Sequence, residues 1–282
     1  MLHNEGNFPS IDGCNLYYQS WQPEHDSKAI IAIVHGSGEH SGRYVNVCNY
    51  FLARNYCLYG FDFRGHGKSA GKVGHVSSWQ QYREDLSSYL QLIHEQNPAK
   101  PLFLYSHSMG AQITLDYLSV EAARGKQLAG VIASAPALAQ PAVNPLLLQI
   151  GKLLAVIWPT CMLQNGLDVN AISRDPEVVR AYGDDPMVSS KISARFGAEF
   201  MAGIDRVQAN AGDIDVPLLL FHGCADRIIP VAGTRKFFER LRAADKTLKI
   251  YPDGFHEAHN DLQKLEVFQD VERWIGARLE AV

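Results

Sequence analysis

Ser108 stands in a pattern that could make it a nucleophile. It lies between two small residues, Ser106 and Gly110, where an apolar run beginning at Pro101 gives way to helical spacing of apolar residues at 111–118. A tight turn from a strand into a helix exposes a serine hydroxyl, and it needs small neighbours because the two backbones nearly touch. The usual pattern is Gly-x-Ser-x-Gly, so Ser106 departs from it while remaining small. The segment predicts a nucleophilic serine, with an ordinary strand–helix loop as the alternative.

A serine nucleophile needs a base and an acid that orients the base. In parallel sheets such groups gather at the carboxyl ends of strands. Asp226 follows the apolar segment 217–222, whereas Asp213 and Asp215 precede it. Asp226 is therefore the candidate acid, and its alternative role is to cap the helix that starts nearby.

The candidate base is His256, which follows the last predicted strand, 247–251, through a short loop. His259 is the competing histidine three residues later, farther from the strand end. The chain order Ser108, Asp226, His256 is the order used by enzymes with this strand–serine–helix turn. Together the three positions predict a Ser-His-Asp triad.

Two backbone N–H groups would complete the site by binding the oxyanion of the reaction intermediate. One belongs to Met109, directly after the serine, and the other to Ser37 in the glycine-rich loop after the strand 29–34. The glycine spacing does not match a phosphate-binding loop. His35 and His40 lie in the same loop, but no Asp, Glu or Cys completes a metal site at a usual spacing. We therefore expect neither a metal nor another cofactor.

Strand-like and helix-like segments alternate along most of the chain, which predicts an α/β fold with a mostly parallel central sheet and helices on both faces. An antiparallel edge strand is predicted at 15–22, and no clear strand is predicted between about 137 and 212. That block contains helical patterns at 145–157, 176–182 and 189–210. The predicted division is a core first part at 1–136, a helical cap insertion at 137–212 and a core second part at 213–282.

Composition excludes several other classes of protein. The 282 residues carry a net charge of −4, with no basic patch for nucleic acid, and the five cysteines are scattered without a CxxC pair. The N-terminal residues are polar, and the longest apolar stretch, 146–159, is interrupted and too short to span a bilayer. We expect a soluble cytoplasmic protein, with peripheral membrane contact left open.

Seven motifs give the chain a resemblance to α/β-hydrolases of the monoacylglycerol lipase and lysophospholipase group. They lie at 35–44, 62–69, 106–110, 173–176, 185–186, 223–227 and 254–257. The resemblance implies a serine esterase of the α/β-hydrolase fold that cleaves monoacylglycerol in an apolar acyl tunnel under a helical cap. It also implies the triad Ser108, Asp226 and His256, and it places Tyr182 near the glycerol head group.

The candidate cap contains a helix that is too apolar all round to face solvent. Its apolar residues are Leu146, Leu147, Leu148, Ile150, Leu153, Leu154, Val156, Ile157 and Trp158. Burial against the main sheet would cover part of this surface. The remainder could line a cavity for a lipid ester, meet a membrane interface or pack against a second copy of the chain. A lysophospholipase, a carboxylesterase and a non-catalytic ligand receptor on the same scaffold are the alternatives to a monoacylglycerol lipase.

Overall fold

The computed structural model describes residues 2–120, 125, 127–140 and 145–280, and for residues 145–148 it describes the backbone alone. The described strands are β1 (Leu2–Pro9), β2 (Asn15–Gln22), β3 (Ile30–Val34), β4 (Cys57–Phe61), β5 (Leu102–His107), β6 (Gly130–Ser134), β7 (Met162–Gln164), β8 (Lys191–Ser193), β9 (Leu218–Gly223) and β10 (Lys246–Tyr251). The described α-helices are α1 (Val45–Leu52), α2 (Trp79–Gln96), α3 (Met109–Val120), α4 (Pro145–Ile157), α5 (Pro176–Asp184), α6 (Ala194–Ala209), α7 (Val231–Arg240) and α8 (Lys264–Leu279).

Eight strands form one sheet in the order β1-β2-β4-β3-β5-β6-β9-β10. β2 pairs antiparallel with both β1 and β4, and every other neighbouring pair is parallel. The predicted α/β class with a mostly parallel sheet is confirmed. The carboxyl ends of β3, β5, β6, β9 and β10 therefore meet along one edge, which is where loops can bring side chains together.

Alternate residues of β3 pack into two different hydrophobic cores. Ala32 and Val34 join a cluster with residues of α2 and α3, whereas Ile31 and Ile33 join a cluster with residues of α1 and α8. Successive side chains of a strand point to opposite faces of the sheet. The continuous apolar run of this strand is thus explained by helices that cover both faces.

The prediction of an edge strand at 15–22 is wrong in its position within the sheet. β2 occupies this segment, but β1 pairs with it from Leu2 to Pro9 and forms the edge. β1 was missed because it is almost entirely exposed, with Phe8 as its only buried side chain. Such a strand is specified by backbone pairing to its neighbour and shows no apolar alternation.

The expectation of no strand between 137 and 212 is also wrong. β7 and β8 form a small antiparallel ladder outside the main sheet, within the segment from 135 to 217 that connects β6 to β9. We call residues 135–217 the β6–β9 segment. Three-residue strands are too short for a periodic pattern, and the predicted helix at 189–210 begins instead at Ala194, after a cap by the Ser193 hydroxyl.

A buried carboxylate ties the β6–β9 segment to the core. Asp116 of α3 is fully buried and accepts hydrogen bonds from Arg83 of α2 at 2.7 Å and from Arg206 of α6 at 2.8 Å. Close packing accompanies this ion pair, because a Cβ atom at Gly203 of α6 would lie 2.6 Å from the side chain of Gln112. α6 is thus fixed against the helix that follows Ser108.

Candidate active site

Ser108 occupies a strained turn between β5 and α3. Its φ angle is 51°, in the left-handed region that residues with a side chain seldom adopt. Its N–H donates to the carbonyl of Ser134 at 2.9 Å, at the end of β6. A Cβ atom at Gly110 would lie 2.3 Å from the carbonyl oxygen of His35, so a glycine is required where α3 passes the end of β3.

Ser106, where the usual pattern has glycine, is accommodated by the neighbouring strand. The side chain is fully buried, and its Oγ donates to the carbonyl of Ile132 in β6 at 3.0 Å. A buried hydroxyl with such a partner avoids the cost of an unsatisfied polar group. The replacement therefore leaves the turn at Ser108 intact.

Three side chains predicted from the sequence meet in one hydrogen-bonded line. His256 Nε2 lies 2.9 Å from Ser108 Oγ, and His256 Nδ1 lies 2.7 Å from Asp226 Oδ2. Ser108 follows β5, Asp226 follows β9 and His256 follows β10, so the parallel sheet brings together residues up to 148 positions apart. In this arrangement the imidazole can accept the serine proton while its other nitrogen donates to the carboxylate.

A second histidine, which the sequence analysis did not select, also holds Asp226. His222 at the end of β9 places Nε2 at 2.9 Å from Asp226 Oδ2 and at 3.0 Å from the carbonyl of Ile229. Both partners are acceptors, so Nε2 carries the proton, and Nδ1 faces the hydroxyl of Thr234 at 2.8 Å. The signal available in the sequence was a histidine at a strand end, four residues before the acid.

The other carboxylate oxygen of Asp226 is held by the backbone. Oδ1 accepts the N–H groups of Ile228 at 2.8 Å and Ile229 at 3.0 Å. Asp226 therefore holds a short turn, but it does not cap the helix: α7 begins at Val231 with Pro230 at its N-cap position, so the capping alternative is wrong. Because all four contacts converge on one fully buried carboxylate, its orientation is tightly determined.

Electrostatics favour charge separation within this line. Burial would raise the pKa of Asp226, but the neighbouring His256 and the hydrogen bonds from His222 and His256 lower it below its usual range. Burial would lower the pKa of His256, but Asp226 and, more weakly, Glu257 and Glu39 raise it above its usual value. The site is thus built to stabilise an imidazolium at His256.

The glycine-rich loop after β3 lies directly beside the serine. A Cβ atom at Gly36 would lie 3.4 Å from Ser108 Cβ. The Ser37 N–H has no hydrogen-bond partner among the residues that the structure describes. Met109 is the first residue of α3, so its N–H has no partner within that helix. Both predicted oxyanion donors are therefore unpaired near Ser108.

A buried ion network links the glycine-rich loop after β3 to the loop that carries His256. Glu39 accepts the Gly36 N–H at 2.6 Å and binds Arg43 at 2.6 Å, and Arg43 also binds Glu257 at 2.7 Å and 2.9 Å. Glu257 follows His256 directly. These residues were not selected from the sequence as functional, because Arg43 and Glu257 are ordinary charged residues that lie 214 positions apart.

Tyr182, carried over from the family resemblance as a substrate contact, packs on this network. It is 7% exposed, and the Arg43 guanidinium lies 4.4 Å from its ring centre. Burial raises its pKa, so the phenol is neutral. The Arg43 side chain therefore contacts both Tyr182 of α5 and Glu257.

The competing base, His259, makes no hydrogen bond with the serine among the described residues. It is fully buried, its ring stacks on Tyr44 at 5.0 Å, and neither ring nitrogen has a hydrogen-bond partner among the described residues. Burial lowers its pKa to about 4. His107, whose ring centre lies 4.8 Å away, also has a pKa lowered by burial. Burial thus favours the neutral form of both imidazoles, and it is His256 that has a hydrogen bond with Ser108 Oγ.

The apolar helix α4 exposes a large part of its surface. Val156 is 75% exposed and Trp158, just beyond the helix, is 60% exposed; Ile150, Leu153 and Ile157 are also exposed. The side chains of Leu146, Leu147 and Leu148, which the sequence analysis grouped with them, lie outside the described part. None of the described helices is both long and apolar enough to cross a bilayer.

Comparison with known proteins gives a consistent assignment. The family model described as serine aminopeptidase, S33, matches residues 25–263. A monoacylglycerol lipase of Mycolicibacterium smegmatis is 34% identical over 98% of this chain and 98% of its own length. The crystal structure of Paleococcus ferrophilus monoacylglycerol lipase has a TM-score of 0.82 and 30% identity, covering 99% of this chain and 100% of that one.

A second solved structure carries a ligand. It is a soluble variant of monoglyceride lipase from Saccharomyces cerevisiae in complex with a substrate analog, with a TM-score of 0.87 and 25% identity. The alignment covers 99% of this chain and 95% of that one. Because the family match, the near-complete coverage and the line from Ser108 to Asp226 agree, the chain belongs to the serine aminopeptidase S33 family of α/β-hydrolases and is a carboxylic ester hydrolase of its monoacylglycerol lipase group.

Proposed function

We propose that this protein hydrolyses monoacylglycerols to glycerol and a free fatty acid through an acyl-enzyme on Ser108. The observation that carries the proposal is the hydrogen-bonded line from Ser108 Oγ through His256 to Asp226, with distances of 2.9 Å and 2.7 Å. The chemistry requires no redox change and no group beyond water and the substrate.

Acylation begins when His256 Nε2 takes the proton of Ser108 as Oγ attacks the ester carbonyl. Asp226 accepts the Nδ1 proton in a hydrogen bond throughout, which keeps the imidazole in the correct tautomer and stabilises the imidazolium. The tetrahedral intermediate then collapses, and His256 returns its proton to the departing glycerol oxygen. The products of this half-reaction are glycerol and the acyl ester of Ser108.

The N–H groups of Ser37 and Met109 stabilise the negative oxygen of the intermediate. One such donor contributes about 3 kcal/mol to transition-state stabilisation. Deacylation repeats the same steps with water as the nucleophile and Ser108 as the leaving group. His256 now deprotonates the water, and the fatty acid leaves.

We assign residues 137–212 as a cap inserted between the core parts 1–136 and 213–282. Support comes from two backbone contacts of the β6–β9 segment. The Ser189 N–H donates to the carbonyl of Gly38, in the loop that carries Ser37, at 2.8 Å. The Ile172 carbonyl accepts the N–H of Glu257, in the loop that carries His256, at 2.8 Å. We assign Tyr182 to the glycerol side of the site, since it packs on Arg43 beside Glu257.

We further assign the exposed apolar face of α4 to transient contact with a lipid surface. A patch of neighbouring exposed apolar side chains on a soluble-type fold marks an interaction site. Leu153, Val156, Ile157 and Trp158 form this face and are 59% to 75% exposed. Trp158 is of the residue type that favours the interface between water and lipid.

The substrate assignment is tested by fatty-acid release from 1-monooleoylglycerol and from a lysophosphatidylcholine with the same acyl chain. We expect faster release from the monoacylglycerol and a loss on the order of 10⁶-fold for Ser108→Ala, as for nucleophile removal in other serine hydrolases. Preference for the lysophospholipid would retain the mechanism and overturn the head-group assignment. Binding without turnover would indicate a ligand receptor.

The membrane assignment is tested by flotation with neutral phosphatidylcholine vesicles. We expect Leu153→Asp to lower vesicle binding and to leave hydrolysis of a water-soluble short-chain ester unchanged. Leu265→Asp is the matched control, because Leu265 of α8 is 62% exposed on another helix. Equal loss in both variants would contradict the assignment, and a dimer that dissociates in Leu153→Asp would instead assign the face to a second copy.

A further inference from the structure

One stretch of the β6–β9 segment lies in backbone contact with the loop that carries Ser37. The Ser189 N–H donates to the carbonyl of Gly38 at 2.8 Å. Gly38 has a φ of +73°, and a Cβ atom there would lie 2.3 Å from the carbonyl oxygen of Ser189. The two chains are therefore so close that no side chain fits between them.

Asp185 fixes the geometry of this contact. Its Oδ1 accepts the N–H of Met187 at 2.9 Å, which shapes the turn that leads to Ser189. Its Oδ2 lies 2.9 Å from Nε2 of His40. Since His40 Nδ1 accepts the Gly42 N–H at 3.2 Å, the ring proton is on Nε2 and is donated to Asp185. One carboxylate thus shapes the turn and holds the loop.

The opposite side of the loop is held by the core. The Gly36 N–H donates to Glu39 at 2.6 Å, and the Gly36 carbonyl lies 2.7 Å from Nδ1 of His35. Nε2 of the same imidazole accepts the N–H of Phe63, just beyond β4, at 2.9 Å. Ser37 therefore stands between a residue fixed by the core and a residue, Gly38, fixed by the β6–β9 segment. Release of either neighbour would turn the Ser37 N–H away from its direction in the folded protein.

The segment makes a second contact with the core a few residues later. The Ser193 N–H donates to the Gly74 carbonyl at 2.7 Å, and the Ser193 hydroxyl lies 2.8 Å from Nδ1 of His75. A Cβ atom at Gly74 would lie 2.1 Å from the carbonyl oxygen of Lys191. The stretch from Asp185 to Ser193 is thus attached to two loops of the core.

We infer that Asp185 is a positioning residue for the oxyanion hole, acting through His40 and the Ser189–Gly38 hydrogen bond on the N–H of Ser37. The inference rests on the proposed function, in which Ser37 stabilises the transition state. It makes the oxyanion hole depend on a residue outside the core. A displacement of the β6–β9 segment at this point would weaken the hole without touching Ser108, Asp226 or His256.

The test compares Asp185→Asn with Asp184→Asn, its exposed neighbour, which makes the same change of charge. The amide introduced by Asp185→Asn has one acceptor oxygen for two donors, so it loses its hydrogen bond to either Met187 or His40. We expect a 10- to 100-fold lower kcat with KM within about twofold, a part of the loss seen when one oxyanion donor is removed. Asp184→Asn should match the wild type.

Two further readouts distinguish positioning from a loss of folding. Affinity for a long-chain trifluoromethyl ketone, whose adduct with Ser108 carries an oxyanion, should fall with kcat, whereas affinity for the free fatty acid should not. In His40→Ala, kcat should fall by a similar factor. The double variant of Asp185→Asn with His40→Ala should lose little more kcat than either single variant. His40→Gln, whose amide can donate to Asp185, should have a smaller loss of kcat than His40→Ala. Thermal unfolding checks that each variant is folded.

The outcomes separate the two proposals. If the wild type releases fatty acid no faster than Ser108→Ala, the proposed function is wrong and the inference falls with it. If the wild type is active and Asp185→Asn behaves like Asp184→Asn, or raises KM while ketone affinity is unchanged, the inference alone is overturned. Additive losses in the double variant would overturn it as well.

Discussion

The candidate active site and helix α4 differ in how far their side chains are buried. We call Ser108, His256 and Asp226, with the buried side chains that support them, the floor of the site. In the floor, the Asp226 carboxylate is fully buried and makes four hydrogen bonds, to two histidines and two backbone N–H groups. In α4, apolar side chains such as Val156 remain mostly exposed. The difference agrees with the proposed roles: groups that react need one fixed geometry, whereas a surface proposed to contact lipid needs apolar area and little precision.

The largest expected effect comes from Asp226→Asn, which would disrupt the four hydrogen bonds of the Asp226 carboxylate. Both histidines contact Oδ2 and both backbone N–H groups contact Oδ1, so the NH₂ group of an amide must face one of these two pairs of donors. With the NH₂ group toward His256, the asparagine would favour the wrong tautomer of the imidazole. We expect kcat to fall by about 10⁴-fold, as in other triads, with the protein still folded by circular dichroism. A loss below tenfold in a fatty-acid release assay would mean that the carboxylate does not orient the base.

Arg43→Met tests how far the floor depends on its ion network. It would leave the carboxylates of Glu39 and Glu257 facing each other without a cation, at side-chain exposures of 4% and 3%. Breaking a buried pair in this way costs about 3–5 kcal/mol of unfolding free energy, measurable by urea denaturation.

Arg54→Met provides the matched control for the ion network. Arg54 pairs with Glu272, but its side chain is 38% exposed. Exposed pairs contribute about 1 kcal/mol or less, so this variant should be almost as stable as the wild type. Equal destabilisation by both substitutions would show that burial does not determine the strength of these pairs.

The pH dependence follows from the raised pKa of His256. The base must be neutral, so kcat/KM should rise tenfold per pH unit on the acid side and level off only above about 6.5, the ordinary histidine value. In Asp226→Asn the midpoint should move to lower pH, because the carboxylate that raises the pKa is gone. An unchanged midpoint would contradict this cause.

The same shift has a consequence for stability. Because the pKa of His256 is higher in the folded state than in the unfolded chain, its protonation stabilises the fold fully below about pH 6.5. This contribution is lost as the pH rises through the folded-state pKa. Urea unfolding of the wild type and Asp226→Asn across this window should therefore show a smaller pH dependence in the variant.

Ser106→Gly should have a small effect on stability and none on the chemistry. It restores the usual turn pattern but removes the buried hydrogen bond to Ile132 and adds backbone freedom to the unfolded chain. We expect a loss of about 1 kcal/mol in unfolding free energy with kcat within twofold. A large change in kcat would show that Ser106 adjusts the position of Ser108.

The smallest expected effect belongs to α4. Leu153→Ser should change the unfolding free energy by at most about 0.5 kcal/mol, because the side chain is 59% exposed. A loss of about 2 kcal/mol or more in urea denaturation, typical of a buried leucine, would mean that this face is buried in the protein in solution. It would remove the contrast between α4 and the floor.

The sequence alone determined the α/β class and predicted that Ser108, Asp226 and His256 lie together, as the hydrogen-bonded line shows. Strand runs, helical spacing and turn residues are local, and a parallel sheet places the residues after its strands at one edge whatever lies between them. The exposed strand β1 and the short β7–β8 ladder had no such local pattern. Both form because of the partner beside them.

Only the tertiary structure decided which side chains support the triad. His222, the Glu39–Arg43–Glu257 network and the pair of His40 with Asp185 join residues that are four to 214 positions apart, and each partner by itself is an ordinary polar residue. Their roles arise from burial, which makes an unpaired charge or hydrogen-bonding group costly and so selects one arrangement of partners. That selection acts on distances in the folded chain, and no spacing in the sequence encodes it.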